Sequence, residues 1–198
     1  MVTTQSARPL RMPRIILSIL LTAFVCLLSL SPVLVAAEAA RPNIIIIYAD
    51  DQGFGDASCL NADSGFQTPD LDRLAKVGVV FPNAHSPDTV CTPSRYGLLT
   101  GRYCWRTVKK TGVLGAEGPC LIKNDRMTIA SLLQGQGYDT AMVGKWHLGM
   151  QFPGDPGSRD WSKPVTDMPL DKGFDYFYGV PASLNYGILA WLEGQYAK

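Results

Sequence analysis

Asn43-Ile44-Ile45-Ile46-Ile47-Tyr48 is the stretch on which the fold assignment turns. Four consecutive β-branched residues follow Pro42, and Ala49-Asp50-Asp51 closes the run. A short, wholly apolar run of this kind predicts a strand buried on both faces, which implies a parallel sheet with helices on each side. The elements that follow alternate in the same way. Thr68-Pro69-Asp70 has a capping residue, a proline suited to the first turn and an acid beside it, so it predicts a helix start. Leu71, Leu74 and Ala75 would form that helix's inner face, and Gly78 its stop. Val79-Val80-Phe81 is expected to be a short strand. Met127 to Gln134 is expected to be a helix with Ile129, Leu132 and Leu133 inward. Tyr138 to Val143 is expected to be a strand ending in Gly144-Lys145-Trp146-His147-Leu148-Gly149. Phe152 to Pro169, rich in Pro, Gly and Asp, is expected to be a surface loop, and Gly173 to Gly179 a short aromatic strand or turn. Strand and helix in alternation predict an α/β fold with a largely parallel central sheet flanked by helices. Ligands of such sheets sit beyond the carboxyl ends of the strands, where Asp50-Asp51 and Lys145 to His147 both fall.

Cys91-Thr92-Pro93-Ser94-Arg95-Tyr96-Gly97-Leu98-Leu99-Thr100-Gly101-Arg102 predicts a further helix. Pro93 suits its first turn, Leu98 and Leu99 supply an apolar face, and Gly101 supplies the stop. Cys91 then lies at the helix N-terminus, where free N–H groups and the macrodipole favour negative charge. Arg95, four residues on, projects from the same face. A nucleophile, an anion-favouring helix end and a guanidinium together predict a site for a tetrahedral oxyanion.

Composition narrows the partners. The chain has 198 residues with 46% hydrophobic residues and a net charge of +1. Arg8, Arg11 and Arg14 precede an apolar run from Ile15 to Leu30, Pro32 ends it, and Val35-Ala36-Ala37 offers small residues for cleavage. Residues 1–37 therefore read as a secretory signal peptide, with an uncleaved anchor as the alternative. Export to a periplasmic, extracellular or lysosomal compartment is the expectation. Phe24-Val25 before Cys26 argues against a lipoprotein anchor. Residues 1–37 carry three arginines and no acid, which leaves 15 basic and 17 acidic residues beyond them, a net charge of −2. A near-neutral body gives no support to nucleic-acid binding. Four cysteines follow the leader: Cys59, Cys91, Cys104 and Cys120. Cys104 with Cys120 is a conceivable disulfide in an exported chain, with Cys59 left odd.

The carboxylates Asp50 and Asp51 offer the hard oxygen ligands that Ca²⁺ or Mg²⁺ takes, although alone two acids also finish a strand and cap a turn. Lys145 and His147 are two residues apart, so an extended backbone would turn both to one side with Trp146 opposite. Lys145 could bind an anion as a point charge, and His147 could orient a hydroxyl or move a proton. His85 reads as structural or exposed.

The Cys-x-Pro-Ser-Arg and Leu-x-Thr-Gly-Arg pattern of residues 91–102 resembles the signature of the formylglycine-dependent sulfatases, arylsulfatase-like members of the alkaline-phosphatase-like superfamily. Gly137-Tyr138-x-Thr140-x-x-x-Gly144-Lys145-Trp146-His147-Leu148-Gly149 resembles that family's second signature, and Asp50-Asp51 half of its calcium site. The resemblance implies oxidation of Cys91 to formylglycine by a formylglycine-generating enzyme. It implies a metal held by Asp50, Asp51 and residue 91, sulfate contacts from Arg95 and Lys145, and a hydrogen bond from His147 to the formylglycine. The implied activity is sulfate-ester hydrolysis on a small-molecule or carbohydrate sulfate. A hydrated aldehyde attacks sulfur with one hydroxyl and releases sulfate through the other, a covalent route in two easier steps. Phosphate or phosphonate ester hydrolysis by the same group, and sulfate binding without turnover, are the alternatives. The resemblance runs from Arg41 to about Gly179. The family's second acidic pair, second histidine and second sulfate-binding lysine find no match, so residues 38–198 read as the N-terminal part of a catalytic domain.

Overall fold

The computed structural model describes residues 41–198, and the leader of residues 1–37 lies outside them. The chain falls into two units, Met1–Ile47 and Tyr48–Lys198. In the first, the isoleucine run is not a strand, and Ile45 and Ile47 are 84% and 88% exposed. The expectation of a strand over 43–48 is thus corrected. Branched apolar residues prefer a pleated, buried surface, but a strand exists only where a neighbour supplies its ladder.

The second unit contains three α-helices among the described residues: α1 (Pro69–Val77), α2 (Cys91–Thr100) and α3 (Ile129–Gln134). Helix α2 ends as its composition predicts, with Gly101 in the left-handed region at φ 64° and its N–H on the Gly97 carbonyl. Helix α3 starts at Thr128, whose hydroxyl accepts the Ser131 N–H at 3.0 Å and donates to the Lys172 carbonyl at 2.6 Å. Ala130 is buried, Ile129 and Leu133 are half-buried and Leu132 is exposed, so the expected inner face is corrected at Leu132.

Six strands are described: β1 (Ala141–Lys145), β2 (Gly154–Asp155), β3 (Ser158–Arg159), β4 (Tyr176–Val180), β5 (Leu192–Glu193) and β6 (Tyr196–Ala197). They form a mixed sheet in the order β1-β4-β5-β6, with β2 and β3 as a separate hairpin. Strands β1 and β4 are parallel, from Ala141 opposite Tyr176 to Lys145 opposite Val180. Pairing continues past β1, because the N–H groups of Trp146 and His147 reach the carbonyls of Val180 and Pro181 at 3.0 and 2.8 Å. The aromatic run at 173–179 is therefore a strand, and Lys145 to His147 stand at the carboxyl end of a parallel pair.

Trp146, Leu148, Met150, Phe177 and Leu192 are fully buried and pack with Tyr96 of α2 and Ile122. Val165, Met168 and Phe152 join them, so 152–169 is not merely the surface loop its Pro and Gly content predicts. Apolar residues scattered among turn residues carry no period, yet each is anchored in the core. Val79-Val80-Phe81 is exposed and forms no strand. With α1, Val79 and Val80 border an open apolar groove of about 610 Å³, lined in part by Phe54, Leu60, Leu71 and Leu74.

Candidate functional site

Helix α2, the carboxyl end of β1 and the turn at Asp50 meet at one place. Arg95 Nη2 and Lys145 Nζ both reach Asp50 Oδ2, at 3.1 and 2.6 Å. Arg95 Nη1 also donates to the Lys145 carbonyl at 2.5 Å, and its guanidinium lies over the Tyr48 ring at 5.4 Å. Two cations therefore stand within a few ångströms of each other on one carboxylate oxygen. The hydrogen bond from Lys145, followed by the charges of Lys145 and Arg95, holds the Asp50 carboxyl below its ordinary range. Cys91 is half-buried as the first residue of α2, and its sulfur is a free thiol. Arg95 of the helix that Cys91 opens and Lys145 at the end of β1 thus meet on Asp50.

Backbone strain marks the same place. Among the described residues, three non-glycine residues adopt left-handed φ: Asp51 at 61°, His147 at 59° and Asp167 at 54°. Two of them are candidate site residues, and such conformations persist where the surroundings over-determine them. The left-handed turn at His147 overturns the expected alternation. Lys145 faces Asp50, whereas His147 and Trp146 are both fully buried. The His147 ring meets the Leu114 carbonyl through Nε2 at 2.9 Å and the Tyr186 ring at 4.9 Å between centroids. Burial above all, reinforced by the Lys145 and Arg95 charges, holds its pKa below the ordinary 6.5.

The metal expectation meets a limit. A Ca²⁺ ion takes six to eight oxygens. Asp51 is exposed, Asp50 is already engaged by two cations, and no group of three potential ligands occurs among the described residues. Asp50, Asp51 and Cys91 do not by themselves make a metal centre. The cysteine expectation changes too, because Cys59, Cys91, Cys104 and Cys120 are all free and Cys104 does not pair with Cys120. Burial pushes the Cys120 thiol up to about 12, which keeps it protonated at neutral pH. His85 is exposed, with Nε2 at 3.1 Å from Asn83 Oδ1, as expected.

Sequence reasoning missed Thr92, Leu114 and Tyr186. Thr92 occupies the variable position of its motif, where pattern reading sees a spacer. Leu114 acts through its backbone, which no side-chain pattern reports.

Residues 42–187 match the sulfatase family model. An N-acetylgalactosamine-6-O-sulfatase of Bacteroides thetaiotaomicron is 43% identical over 148 residues, which is 75% of this chain and 28% of that protein. Human arylsulfatase A is 39% identical over 151 residues, 76% of this chain and 27% of that one. A solved structure from work on glycosaminoglycan metabolism by Bacteroides thetaiotaomicron superposes with a TM-score of 0.70 at 40% identity, over 80% of this chain and 32% of that chain. A structure named Ps i-CgsB in complex with k-i-k-neocarrahexaose gives a TM-score of 0.56 at 34% identity, over 70% and 28%. The chain thus spans about a quarter of the length of the curated relatives it matches. Its architecture is the α/β class of these alkaline-phosphatase-like neighbours. A cysteine-led helix whose arginine shares a carboxylate with the lysine of a neighbouring strand, together with a family match over most of its length, makes this chain a member of the sulfatase family.

Proposed function

We propose that this chain carries the sulfate-handling cradle of a sulfate-ester hydrolase whose nucleophile is made from Cys91. The meeting of Arg95 and Lys145 on Asp50, beside the helix end that Cys91 opens, is the observation that supports it. Arg95 and Lys145 neutralise charge on the sulfuryl oxygens, and the N–H groups of the first turn of α2 add to that field. Asp50 holds both cations in register. His147 hydrogen-bonds the modified residue 91. Formylglycine, made by a formylglycine-generating enzyme, supplies when hydrated one hydroxyl for attack on sulfur and another for sulfate release. Asp50 and Asp51 contribute part of a coordination sphere for Ca²⁺ or Mg²⁺. A sulfated carbohydrate is the proposed substrate class, supported by the names of the galactosamine sulfatase and the neocarrahexaose complex.

Co-expression with a formylglycine-generating enzyme, peptide mass spectrometry and an ester assay test this reading together. The Cys91 peptide is expected to carry the aldehyde mass, and sulfate release from a 6-sulfated sugar to vanish in Cys91→Ala. Removing the Arg95 guanidinium costs about 10²-fold or more in turnover, the scale of one lost oxyanion donor. Faster release of phosphate than of sulfate assigns the chain to phosphoester chemistry, and an unmodified thiol with no turnover reduces it to a binder. The same digest reads the mature N-terminus and so tests cleavage near residue 37 and export.

A further inference from the structure

Thr92 has no role in the chemistry above, yet it is fully buried at the second position of α2. Its hydroxyl works in both directions. Oγ1 donates to the His147 carbonyl at 2.9 Å and accepts the Leu114 N–H at 3.1 Å. The Leu114 carbonyl in turn meets His147 Nε2 at 2.9 Å. Three hydrogen bonds thus close a ring through three chain segments: the start of α2, the stretch at Leu114 and the end of β1. A carbonyl has no proton to give, so Nε2 carries the hydrogen. A neutral imidazole has one N–H, so Nδ1 is the bare nitrogen. Nδ1 is buried and has no partner among the described residues. An unpaired buried acceptor is destabilising, and native folds keep few of them without a use.

We infer that Thr92 is a positioning residue for His147: its hydroxyl sets the Leu114 carbonyl in place, selects the Nε2-protonated tautomer, and leaves Nδ1 as a hydrogen-bond acceptor. The left-handed backbone at His147 belongs to the same device, because it brings the residue's own carbonyl to Thr92 while its ring reaches Leu114. A valine at position 92 would fill the same volume and make neither bond. The donor that Nδ1 awaits is a hydroxyl on residue 91, and for that last step the inference rests on the proposed function. The ring of hydrogen bonds stands without it.

The full chain labelled with ¹⁵N-histidine tests the inference. It contains two histidines, and the His85→Gln spectrum assigns the signals of exposed His85 apart from those of His147. Imidazole correlation spectra are expected to show His147 as a single Nε2–H species with an unprotonated Nδ1. Thr92→Ser keeps the hydroxyl and is expected to keep that pattern. Thr92→Val is expected to lose it, both ring nitrogens shifting toward the averaged values of an imidazole that exchanges between tautomers. A wild-type His147 protonated at Nδ1, a Thr92→Ser variant that loses the pattern, or a folded Thr92→Val variant that retains it each overturns the inference. Should Thr92→Val fail to fold, the wild-type and Thr92→Ser spectra decide alone. An unmodified Cys91 thiol beside an intact tautomer pattern sinks the proposed function and leaves the clamp in place. Turnover with the wrong tautomer sinks the clamp alone.

Discussion

Helix α1 has the cleaner apolar stripe, and helix α2 has the deeper burial. Leu71, Leu74 and Ala75 recur at helical spacing in α1, yet none of its residues is buried. Helix α2 has a mixed surface, and Thr92, Pro93, Ser94, Tyr96 and Gly97 are all buried. Hydrogen bonds and close approach account for the difference. The Ser94 hydroxyl donates to the Asp88 carbonyl at 2.7 Å and lies 3.0 Å from the Ser86 hydroxyl. Pro87 sits where a side chain at Gly97 would be, 2.5 Å from an ideal Cβ. Thr92 ties the first turn to two other segments. Helix α1 has polar ties at its start, where the Ser58 hydroxyl bonds both Thr68 and Asp72, but its apolar face borders an open groove. An apolar stripe says which face should be covered. Polar ties and missing side chains decide which face is covered.

Breaking the buried side of that comparison should have the largest effect. Trp146 is fully buried against the core, and its Nε1 donates to the Gly149 carbonyl at 2.8 Å. Trp146→Ala is expected to cost about 3–5 kcal/mol in urea unfolding, the usual range for emptying a large buried ring. A loss below about 1 kcal/mol would mean that the site's supporting core is loose. Lys172 comes next. Its side chain is almost wholly buried and bonds Asp167 at 2.6 Å and Asn124. Asp167 also receives the Cys120 N–H, so the cluster pins the 118–122 stretch to the region after β3. Lys172→Met strands a carboxylate and is expected to cost about 3 kcal/mol.

The legible parts of the molecule were those whose signals are local. Pro69 marks the start of α1, and Gly101 marks the end of α2, because a first-turn proline or a left-handed glycine acts within one turn. The meeting of Arg95 and Lys145 was legible too, since the carboxyl end of a strand and a helix N-terminus in an α/β fold point to one edge, whereas Asp50 reaches them from a segment that is not the strand its sequence predicts. The rest depends on partners distant in sequence. Residues 43–48 have the composition of a central strand, and only a paired neighbour would make them one. His147 departs from strand alternation because its left-handed φ is sustained by hydrogen bonds from Thr92 and to Leu114. Composition around position 147 contains no trace of either.

His147 also gives the comparison a pH dependence, and the sign follows from its environment. Burial, and after it the Lys145 and Arg95 charges, lowers the ring's folded pKa below 6.5. Between that lowered value and the ordinary one, the unfolded chain takes up a proton that the folded chain refuses. Stability therefore falls as pH drops below about 6.5 and levels off once the folded ring also protonates. Asp50 acts lower on the scale: its depressed carboxyl contributes above its ordinary 3.8, and that contribution is lost as pH falls through the folded value. Urea midpoints at about pH 7.5 and 5.5 isolate the histidine. The wild type is expected to lose stability between them, and His147→Gln to show a flatter response whatever its absolute stability. An equal slope in both proteins moves the effect to another group.

Leu74→Ala should have the smallest effect and says most about the open side of the comparison. Leu74 is 58% exposed on the groove-lining face of α1. Truncating it removes little buried surface, and alanine is the better helix former, so the change is expected to stay within about 0.5 kcal/mol. The corresponding truncation of a covered leucine costs about 2–5 kcal/mol. The two outcomes are far enough apart to be separated by a single pair of urea curves. A small value means that the stripe of α1 faces water in this chain and that polar ties alone hold the helix. A value near 2 kcal/mol means that the groove is filled in solution, and repeating the measurement across protein concentrations then says whether a second copy of the chain fills it, since only that cover is lost on dilution.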